Sequence, residues 1–118
     1  MPEDRQLDLT YLEDMSGGDR EFIEEILGTF LETSSDLIES LLAAAKEGFV
    51  EKALYASHTL KGSSRSVGAD PLGAICQSLE QLARSGDMKG FAELVESVPP
   101  VYAQLRAEIQ ASFLEKAA

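Results

Sequence analysis

The sequence predicts an all-α fold, an antiparallel up-down four-helix bundle with a short extra helix at the N terminus. Three observations support this prediction. Apolar residues recur every three to four positions in long segments, which is the period of an amphipathic helix. Glycines and short polar stretches separate these segments, and connections this short place successive helices antiparallel. The sequence shows no strand-like alternation of apolar and polar residues and no internal repeat.

The first part of the chain is expected to form a flexible end and one short helix. Residues 1–7 are mostly polar, and we expect them to be flexible. Asp8 can cap a short helix that ends at Gly17-Gly18. The apolar residues of this helix are Leu9, Leu12 and Met15.

Two long helices are predicted next. The first runs from about residue 20 to residue 46, and its acidic first turn suits the positive end of the helix dipole. Gly48 separates it from a second helix at about residues 49–67, for which Gly68 is placed as the C-terminal cap. The apolar pairs of the first helix are Phe22/Ile23, Ile26/Leu27, Phe30/Leu31, Leu37/Ile38 and Leu41/Leu42.

The last third of the chain should complete the bundle. Asp70-Pro71 is typical of a helix N-cap and first helical residue, and Gly86-Asp87 makes the following turn. Pro99-Pro100 interrupts the final segment, because a proline inside a helix removes a hydrogen bond and clashes with the preceding turn. The apolar phase continues across the pair, so we expect two roughly collinear pieces or one kinked helix. Its apolar positions are Phe91, Leu94, Val95, Val98, Tyr102, Leu105, Ile109 and Phe113.

Composition indicates a single soluble domain that spans residues 1–118. The formal net charge of −11 argues against binding to nucleic acid or to an anionic membrane surface. No apolar run approaches the ~18 residues of a membrane span, and the first residues lack a signal-peptide core. The only cysteine, Cys76, cannot form an internal disulfide, which fits a reducing compartment. We therefore expect a cytoplasmic protein, and we expect a monomer.

The candidate functional residue is His58, the only histidine of the chain. At 100° per residue it lies roughly 160° from Leu60, which belongs to the apolar face of its helix, so His58 should face solvent. Lys61, Gly62 and Arg65 follow at positions that neighbour it on a helix surface. Packing alone does not account for an exposed imidazole that is flanked by two cations and a glycine.

These residues also carry a family resemblance. The segment His58-x-Leu60-Lys61-Gly62-Ser63-Ser64, followed by Gly68-Ala69, resembles the signature of histidine phosphotransfer (HPt) domains of two-component phosphorelays. The likeness extends more loosely to residues 22–42 and to Cys76-x-x-Leu79-Glu80, and it implies the same helical bundle. Ser57 replaces the alanine that usually precedes the histidine.

The resemblance implies that His58 carries a phosphoryl group. In the family the outer imidazole nitrogen receives it from an aspartyl phosphate on a receiver domain and passes it to the aspartate of another. Mg²⁺ belongs to the receiver, so the chain is expected to have no cofactor of its own. A protein metal site needs several converging His, Cys or carboxylate ligands, and the chain has one His and one Cys; the sequence also has no nucleotide-binding glycine loop. We expect a phosphocarrier without kinase activity.

Roles for neighbouring residues follow from spacing and from the resemblance. Helix spacing puts Lys61, and with weaker support Arg65, in reach of the phosphoryl charge. Gly62 should let a partner approach the ring closely. In the family a polar residue on the following helix often contacts the histidine or the lysine, and the matching positions are Glu80 and Arg84. Apolar residues expected to dock the partner are Leu54, which shares the face of His58, and Leu12 and Met15 of the first helix.

Two alternatives remain open at this stage. One is that the chain is a phosphorylatable domain cut from a larger hybrid or chemotaxis-type kinase, although its initiating methionine and capped last helix favour a stand-alone protein. A helical adapter that binds a kinase or receiver without accepting phosphate is the other alternative. The presence of both His58 and Lys61 counts against an adapter, which needs neither.

Overall fold

The computed structural model describes the backbone of residues 5–114 and the side chains of residues 5–112. Residues 1–4 of the expected flexible end and the side chain of Phe113 lie outside this description. No strand occurs between residues 5 and 114, so the all-α prediction is confirmed. The helices are α1 (Thr10–Ser16), α2 (Arg20–Glu47), α3 (Val50–Ser66), α4 (Asp70–Arg84), α5 (Met88–Val95) and α6 (Val98–Ile109), and α6 continues as a π-helical turn (Gln110–Leu114).

The helices form the expected bundle, with α5 and α6 together supplying its fourth member. α3 packs between α2 and α4, while α5 and α6 both pack against α2 and α4. Short connections at Gly48-Phe49, at residues 67–69 and at residues 85–87 reverse the chain between successive helices. The core that they enclose is aliphatic and aromatic; its fully buried members include Leu27, Leu41, Leu60, Leu72, Leu79, Phe91 and Leu105.

The interruption near the proline pair takes the form of two helical pieces, one of the two expected alternatives. The break lies at Glu96 and Ser97, just before the prolines. The backbone N–H and the hydroxyl of Ser97 both donate to the carbonyl of Leu94, which closes the end of α5. Pro99 and Pro100 then occupy the first turn of α6, where an N–H group has no intrahelical acceptor to lose.

The segment before α1 differs from the expected flexible end in the part that the structure describes. Gln6 and Leu7 are buried. The backbone N–H of Gln6 donates to the carboxylate of Glu108 on α6, with 3.0 Å between N and Oε2. The N–H of Asp8 donates to the carbonyl of Gly68 at 2.8 Å. This segment therefore crosses one end of the bundle, because Leu7 gains burial there and the backbone finds acceptors on two elements.

The helix α1 starts one residue later than the predicted cap at Asp8 implies. α1 begins at Thr10 with Leu9 in the cap position, so Asp8 is not the N-cap. The Asp8 carboxylate still serves the first turn, since its Oδ1 accepts from the Thr10 hydroxyl at 2.7 Å and from the Thr10 N–H at 3.0 Å. These hydrogen bonds lower the pKa of Asp8, with the hydroxyl contact as the largest cause.

Gly68 was predicted to cap the C-terminal end of α3, but in the structure it lies in the turn after the cap. Val67 occupies the cap position of α3, and α4 begins at Asp70 with Ala69 before it, so both predicted caps are displaced by one residue. Gly68 has a φ of 83°. A Cβ added at Gly68 would collide with the carbonyl oxygen of Asp8. A glycine is therefore required because the N-terminal segment passes directly over this turn.

Replacing Gly68 by alanine should destabilise the protein more than the same change at Gly86. Both glycines have a positive φ, 83° and 81°, so each substitution should cost about 1–2 kcal/mol from backbone strain alone. Only Gly68→Ala also forces Asp8 away, because a Cβ at Gly86 meets nothing within 4 Å. Urea denaturation of both variants measures the difference, and equal losses would contradict the close approach at Gly68.

Candidate functional site

His58 lies in the middle of α3 and points to solvent. Its side chain is 69% exposed. The opposite side of α3 is fully buried at Ala53, Ala56 and Leu60. The exposure predicted from helix phase is therefore confirmed. The imidazole can be approached from outside while the helix that carries it is fixed in the core.

Glu80 of α4 holds one side of this ring. Its side chain is only 4% exposed, and its Oε2 lies 3.0 Å from Nδ1 of His58. An ionised carboxylate can only accept hydrogen bonds, so Nδ1 is the ring nitrogen that carries the hydrogen. This contact leaves the lone pair of neutral His58 on Nε2. Glu80 is one of the two positions that the family resemblance implies for such a contact, and the structure brings it to the histidine.

Lys61 contacts the same carboxylate, whereas helix spacing predicted that it would lie in reach of a phosphoryl charge on His58. Its Nζ lies 2.7 Å from Oε1 of Glu80, and its side chain is 19% exposed. The physical reason is the burial of Glu80, since an ionised carboxylate removed from water is costly unless a cation pairs with it. The ammonium is therefore directed at Glu80.

Arg84 completes the cluster from α4, one turn after Glu80. Its guanidinium nitrogen donates to Oε2 of Glu80 at 2.9 Å, while 67% of its side chain is exposed. The contact with Lys61 is the largest of the effects that lower the pKa of Glu80 to about 2; hydrogen bonds from His58 and Arg84 add to it, and together they outweigh the opposing effect of burial. Glu80 is thus ionised at neutral pH, and two cations face one carboxylate.

The two other predicted neighbours on α3 have different surroundings. A Cβ added at Gly62 would meet nothing within 4 Å, so the surface one turn beyond His58 is open. Arg65 lies along α4 instead of at the ring, because its Cγ is the atom closest to a Cβ added at Gly73, at 3.1 Å. The described contacts therefore join Glu80 to His58 and join Lys61 and Arg84 to Glu80, but they do not include Arg65.

A shallow groove of about 440 Å³ runs beside His58. Leu54, a predicted docking residue, is half-buried in its wall. Tyr55 also lines the groove and is 69% exposed, although it is not among the predicted docking residues. Its position three residues before His58 on the same helix is the signal that would have found it. The other lining residues are Glu51, His58, Glu80 and Arg84.

The two docking residues predicted on α1 have different environments. Leu12 is 2% exposed and belongs to the core, so its assignment to a docking surface is wrong. It is buried because α1 packs against α2. Met15 is 52% exposed and remains accessible on α1. The described contacts of α1 do not place Met15 beside His58.

Three other features bear on the chemistry open to the chain. Between residues 5 and 114, no group of three or more His, Cys, Asp or Glu side chains is arranged to hold a metal ion. No helix within that range is both long and apolar enough to cross a membrane. Cys76 is buried in the core, and burial raises the pKa of its thiol to about 12. A thiol with so little thiolate is a packing residue rather than a nucleophile.

Comparison with known proteins gives consistent matches across most of the chain. A family profile described as the Hpt domain matches residues 25–113. Histidine-containing phosphotransfer protein 2 of Arabidopsis thaliana is 30% identical over 118 residues, which cover 97% of this chain and 74% of that protein. Phosphorelay intermediate protein rdeA of Dictyostelium discoideum is 23% identical over 109 residues, which cover 92% of this chain and 40% of that protein.

A solved structure has the same arrangement of helices. Histidine-containing phosphotransfer protein B of Pseudomonas aeruginosa PAO1 superposes with a TM-score of 0.85. The match is 26% identical in sequence and covers 93% of this chain and 96% of the other. The up-down bundle found here is therefore shared with a protein from a different lineage than the plant relative.

The lowered pKa of Glu80 predicts a specific dependence of stability on pH. Its value falls from the usual 4.5 to about 2 on folding, so the ionised carboxylate stabilises the fold above pH 4.5, and this contribution is lost as the pH falls towards 2. Between pH 5 and pH 2 the wild type should lose more unfolding free energy than Glu80→Gln, by up to about 3 kcal/mol.

Urea denaturation at several pH values measures this difference. Glu39→Gln is a matched control, since it removes an exposed carboxylate on α2. The control variant should lose stability with acid much as the wild type does. Parallel pH profiles for wild type and Glu80→Gln would show that the ionised Glu80 does not contribute to folding.

Proposed function

The chain belongs to the Hpt domain family, and we propose that it relays phosphoryl groups between aspartates of receiver domains through phosphohistidine at His58. The observation that carries this proposal is the 3.0 Å contact between Nδ1 of His58 and the buried carboxylate of Glu80. That contact occupies the inner ring nitrogen and presents the lone pair of the outer one to solvent. A nucleophile with an open line of approach is what in-line phosphoryl transfer requires.

The transfer step can be written for these atoms. Nε2 of His58 attacks the phosphorus of an aspartyl phosphate on the receiver domain, and the N–P bond forms while the P–O bond to the aspartate breaks. The aspartate carboxylate keeps the bonding electron pair, and the imidazole becomes an imidazolium that still carries its hydrogen on Nδ1. Glu80 accepts that hydrogen bond and stabilises the positive ring. Transfer onward to a second aspartate is the reverse of this step.

Positive charge at the site supports the acceptance of a phosphoryl group by an otherwise acidic chain. The formal net charge is −11, yet Lys61 and Arg84 bring two cations to the single carboxylate of Glu80. The exposed Arg84 guanidinium shares the groove with His58 and can hydrogen-bond phosphoryl oxygens. Glu51 also lines this groove, so the positive charge offered to an arriving phosphoryl group is that of the Arg84 guanidinium rather than a net excess of the site.

The partners proposed are receiver domains of response regulators and of hybrid histidine kinases. A relative named as a phosphorelay intermediate supports this class of partner. The partner would bind to the surface around His58. This surface includes Leu54 and Tyr55 in the groove and the open space at Gly62. We place Mg²⁺ on the receiver and no cofactor on this chain. We also propose that the chain takes no phosphate from ATP by itself, acts as a monomer and works in the cytoplasm.

His58→Gln should fold and accept no phosphoryl group. The His58 side chain is 69% exposed in the wild type, so its replacement should change the unfolding free energy by less than about 1 kcal/mol. The measurement is the transfer of radiolabel from phosphorylated receiver domains to wild type and variant. Wild-type label should be lost in acid and persist in base, as expected of a phosphoramidate bond. Label that remains on the His58→Gln variant would refute the assignment.

Substitution of Gly62 should separate stability from transfer. A Cβ at this position meets nothing within 4 Å, so Gly62→Ala should raise the unfolding free energy by up to about 1 kcal/mol. Gly62→Gln should fold at least as well as wild type, but its longer side chain would overhang the ring. Both should slow transfer from a phosphorylated receiver, and the glutamine variant should be slower.

Gly28→Ala is the matched control for this pair. Gly28 lies within α2, and a Cβ there also meets nothing within 4 Å. The control should gain similar stability and keep the wild-type transfer rate. Thermal melting and transfer kinetics of all three variants test whether Gly62 leaves space for the receiver at the His58 ring. A Gly62→Gln variant that transfers at the wild-type rate would rule out this role of Gly62.

A further inference from the structure

The charged residues of the chain are unevenly distributed, and few of the acidic ones lie on the helix pair that carries His58. Four of the ten Lys and Arg residues, but only three of the 21 Asp and Glu residues, lie between residues 50 and 84. The formal net charge of the whole chain is −11. A partner with an acidic surface is therefore repelled less by α3 and α4 than by the rest of the chain.

Arg65 differs from the other cations of this helix pair in its contacts. The other three Lys and Arg side chains of α3 and α4 each lie 3.6 Å or less from a carboxylate oxygen. Arg65 is exposed, and no carboxylate between residues 5 and 112 lies within ion-pair distance of it. Its guanidinium is therefore available to a carboxylate on another molecule.

Gly73 of α4 gives the Arg65 side chain a defined direction. A Cβ added at Gly73 would lie 3.1 Å from Cγ and 3.5 Å from Nε of Arg65. The stem of Arg65 thus lies against α4 in space that a side chain at position 73 would need. An arginine whose stem is already packed loses less conformational entropy when its guanidinium binds a partner.

Arg65 and Glu51 lie on either side of His58 on one face of α3. Each is seven residues from the histidine, which is about 10 Å along a helix axis and about 20° around it. Both are exposed, and the open surface at Gly62 lies between His58 and Arg65. A standard protein interface buries about 800 Å² on each partner, so an interface centred on His58 would extend over both charges.

The chemistry of the proposed partner supplies a group for Arg65. Mg²⁺, which we place on the receiver, binds to proteins through carboxylates together with phosphate oxygens. Acidic groups therefore lie near the aspartate that meets His58. A guanidinium binds a carboxylate through two parallel hydrogen bonds, which gives the contact a direction as well as energy.

We propose that Arg65 is a docking residue that binds a carboxylate on the acidic surface of the receiver domain, and that the opposite charges of Arg65 and Glu51 determine which way the receiver lies along α3. This inference rests on the proposed function, because it names a contact that orients the receiver over His58. A receiver placed the other way round would bring the same carboxylate to Glu51, and like charges that meet in an interface are costly.

A purely structural role is the competing explanation for Arg65. It lies in the last turn of α3, where a cation interacts favourably with the helix dipole. That role predicts less stable Arg65 variants that bind receivers as the wild type does. The docking role predicts weaker binding by variants that are fully folded in the assay, so urea denaturation and receiver titration of the same variants separate the two.

A charge reversal with a matched control tests the docking role. Titration with a fluorescently labelled receiver domain measures binding, and transfer of radiolabel at saturating receiver measures the chemical step. Arg65→Glu should weaken binding about tenfold or more and change the saturated transfer rate less than about twofold, because a charge at the edge of an interface acts mainly on association. Arg65→Lys, which keeps the charge, should retain most of the affinity.

Arg106→Glu is the matched control. It makes the same change of charge at an exposed arginine of α6, a helix that packs against α2 and α4. The control should weaken receiver binding less than about twofold, because charges more than about 10 Å from an interface are largely screened by salt. Equal weakening by Arg65→Glu and Arg106→Glu would show that only the net charge matters and would overturn the proposal.

Exchanging the two charges on α3 tests the direction of docking. The double variant Glu51→Arg/Arg65→Glu keeps the net charge at −11 but reverses the order of the charges around His58. Transfer at low receiver concentration should stay as slow as in Arg65→Glu alone. A return to the wild-type rate would show that a cation at either end is sufficient, and it would overturn the directional role.

These measurements separate the docking role of Arg65 from the proposed function. If the wild type binds receivers but acquires no label, the proposed phosphotransfer is wrong, and the titrations still test Arg65. If label reaches His58 and Arg65→Glu binds as tightly as the wild type, phosphotransfer stands and the docking role is wrong. If Arg65→Glu does not fold, Arg65→Gln removes the charge without adding a carboxylate and allows the same comparison. A wild type that binds no receiver domain would contradict both.

Discussion

The buried carboxylate of Glu80 is the constraint on which the site depends. An ion taken out of water destabilises a fold by several kcal/mol unless its partners compensate. Here the compensation comes from two helices, with His58 and Lys61 on α3 and Arg84 on α4. A shift of either helix by one residue would separate these partners from Glu80. The same contacts that satisfy the charge therefore align α3 with α4 and fix the orientation of the histidine.

Close packing elsewhere on the α3–α4 pair supports this alignment. Gly73 of α4 faces α3 so closely that an added Cβ would lie 3.1 Å from Cγ of Arg65 and 3.7 Å from Cβ of Ser64. Beyond the end of α3, the N-terminal segment bonds to Gly68 and covers the turn into α4. The site thus lies on a pair of helices whose separation is set by small residues and whose connecting turn is held from outside.

Local pattern predicted the helices and the exposed face but not the contacts across helices. Period and spacing located α2, α3 and α4 and placed His58 opposite Leu60, because these features depend on one helix at a time. The helix caps predicted at Gly68 and Asp70 each lie one residue earlier in the structure. The turn between α3 and α4 contacts Asp8, which is distant in the sequence, and local pattern does not reveal such a contact. Leu12 is buried because α1 docks on the bundle. The α1 helix has only seven residues, and its apolar spacing cannot show which of its sides faces the bundle.

The same limit explains the outcome at Lys61. Its position three residues after His58 showed that the two share a face, but not which charge the ammonium would meet. The ammonium meets the carboxylate of Glu80, which lies 22 residues from His58 along the chain. Only the family resemblance had pointed to Glu80. A carboxylate inside a bundle attracts the nearest long cation whatever its exposure on a helical wheel.

Electrostatic preorganisation follows from this arrangement when His58 acts as the phosphoryl acceptor. A neutral imidazole that attacks phosphorus becomes positively charged, and the hydrogen bond from Nδ1 to an ionised carboxylate strengthens as that charge forms. Glu80 is already ionised and already 3.0 Å away, so no group has to move to meet the new charge. Groups that are fixed before reaction stabilise a transition state better than groups that must reorient. The folding energy that holds a carboxylate between α3 and α4 would therefore also serve the proposed transfer at Nε2, the other nitrogen of the ring.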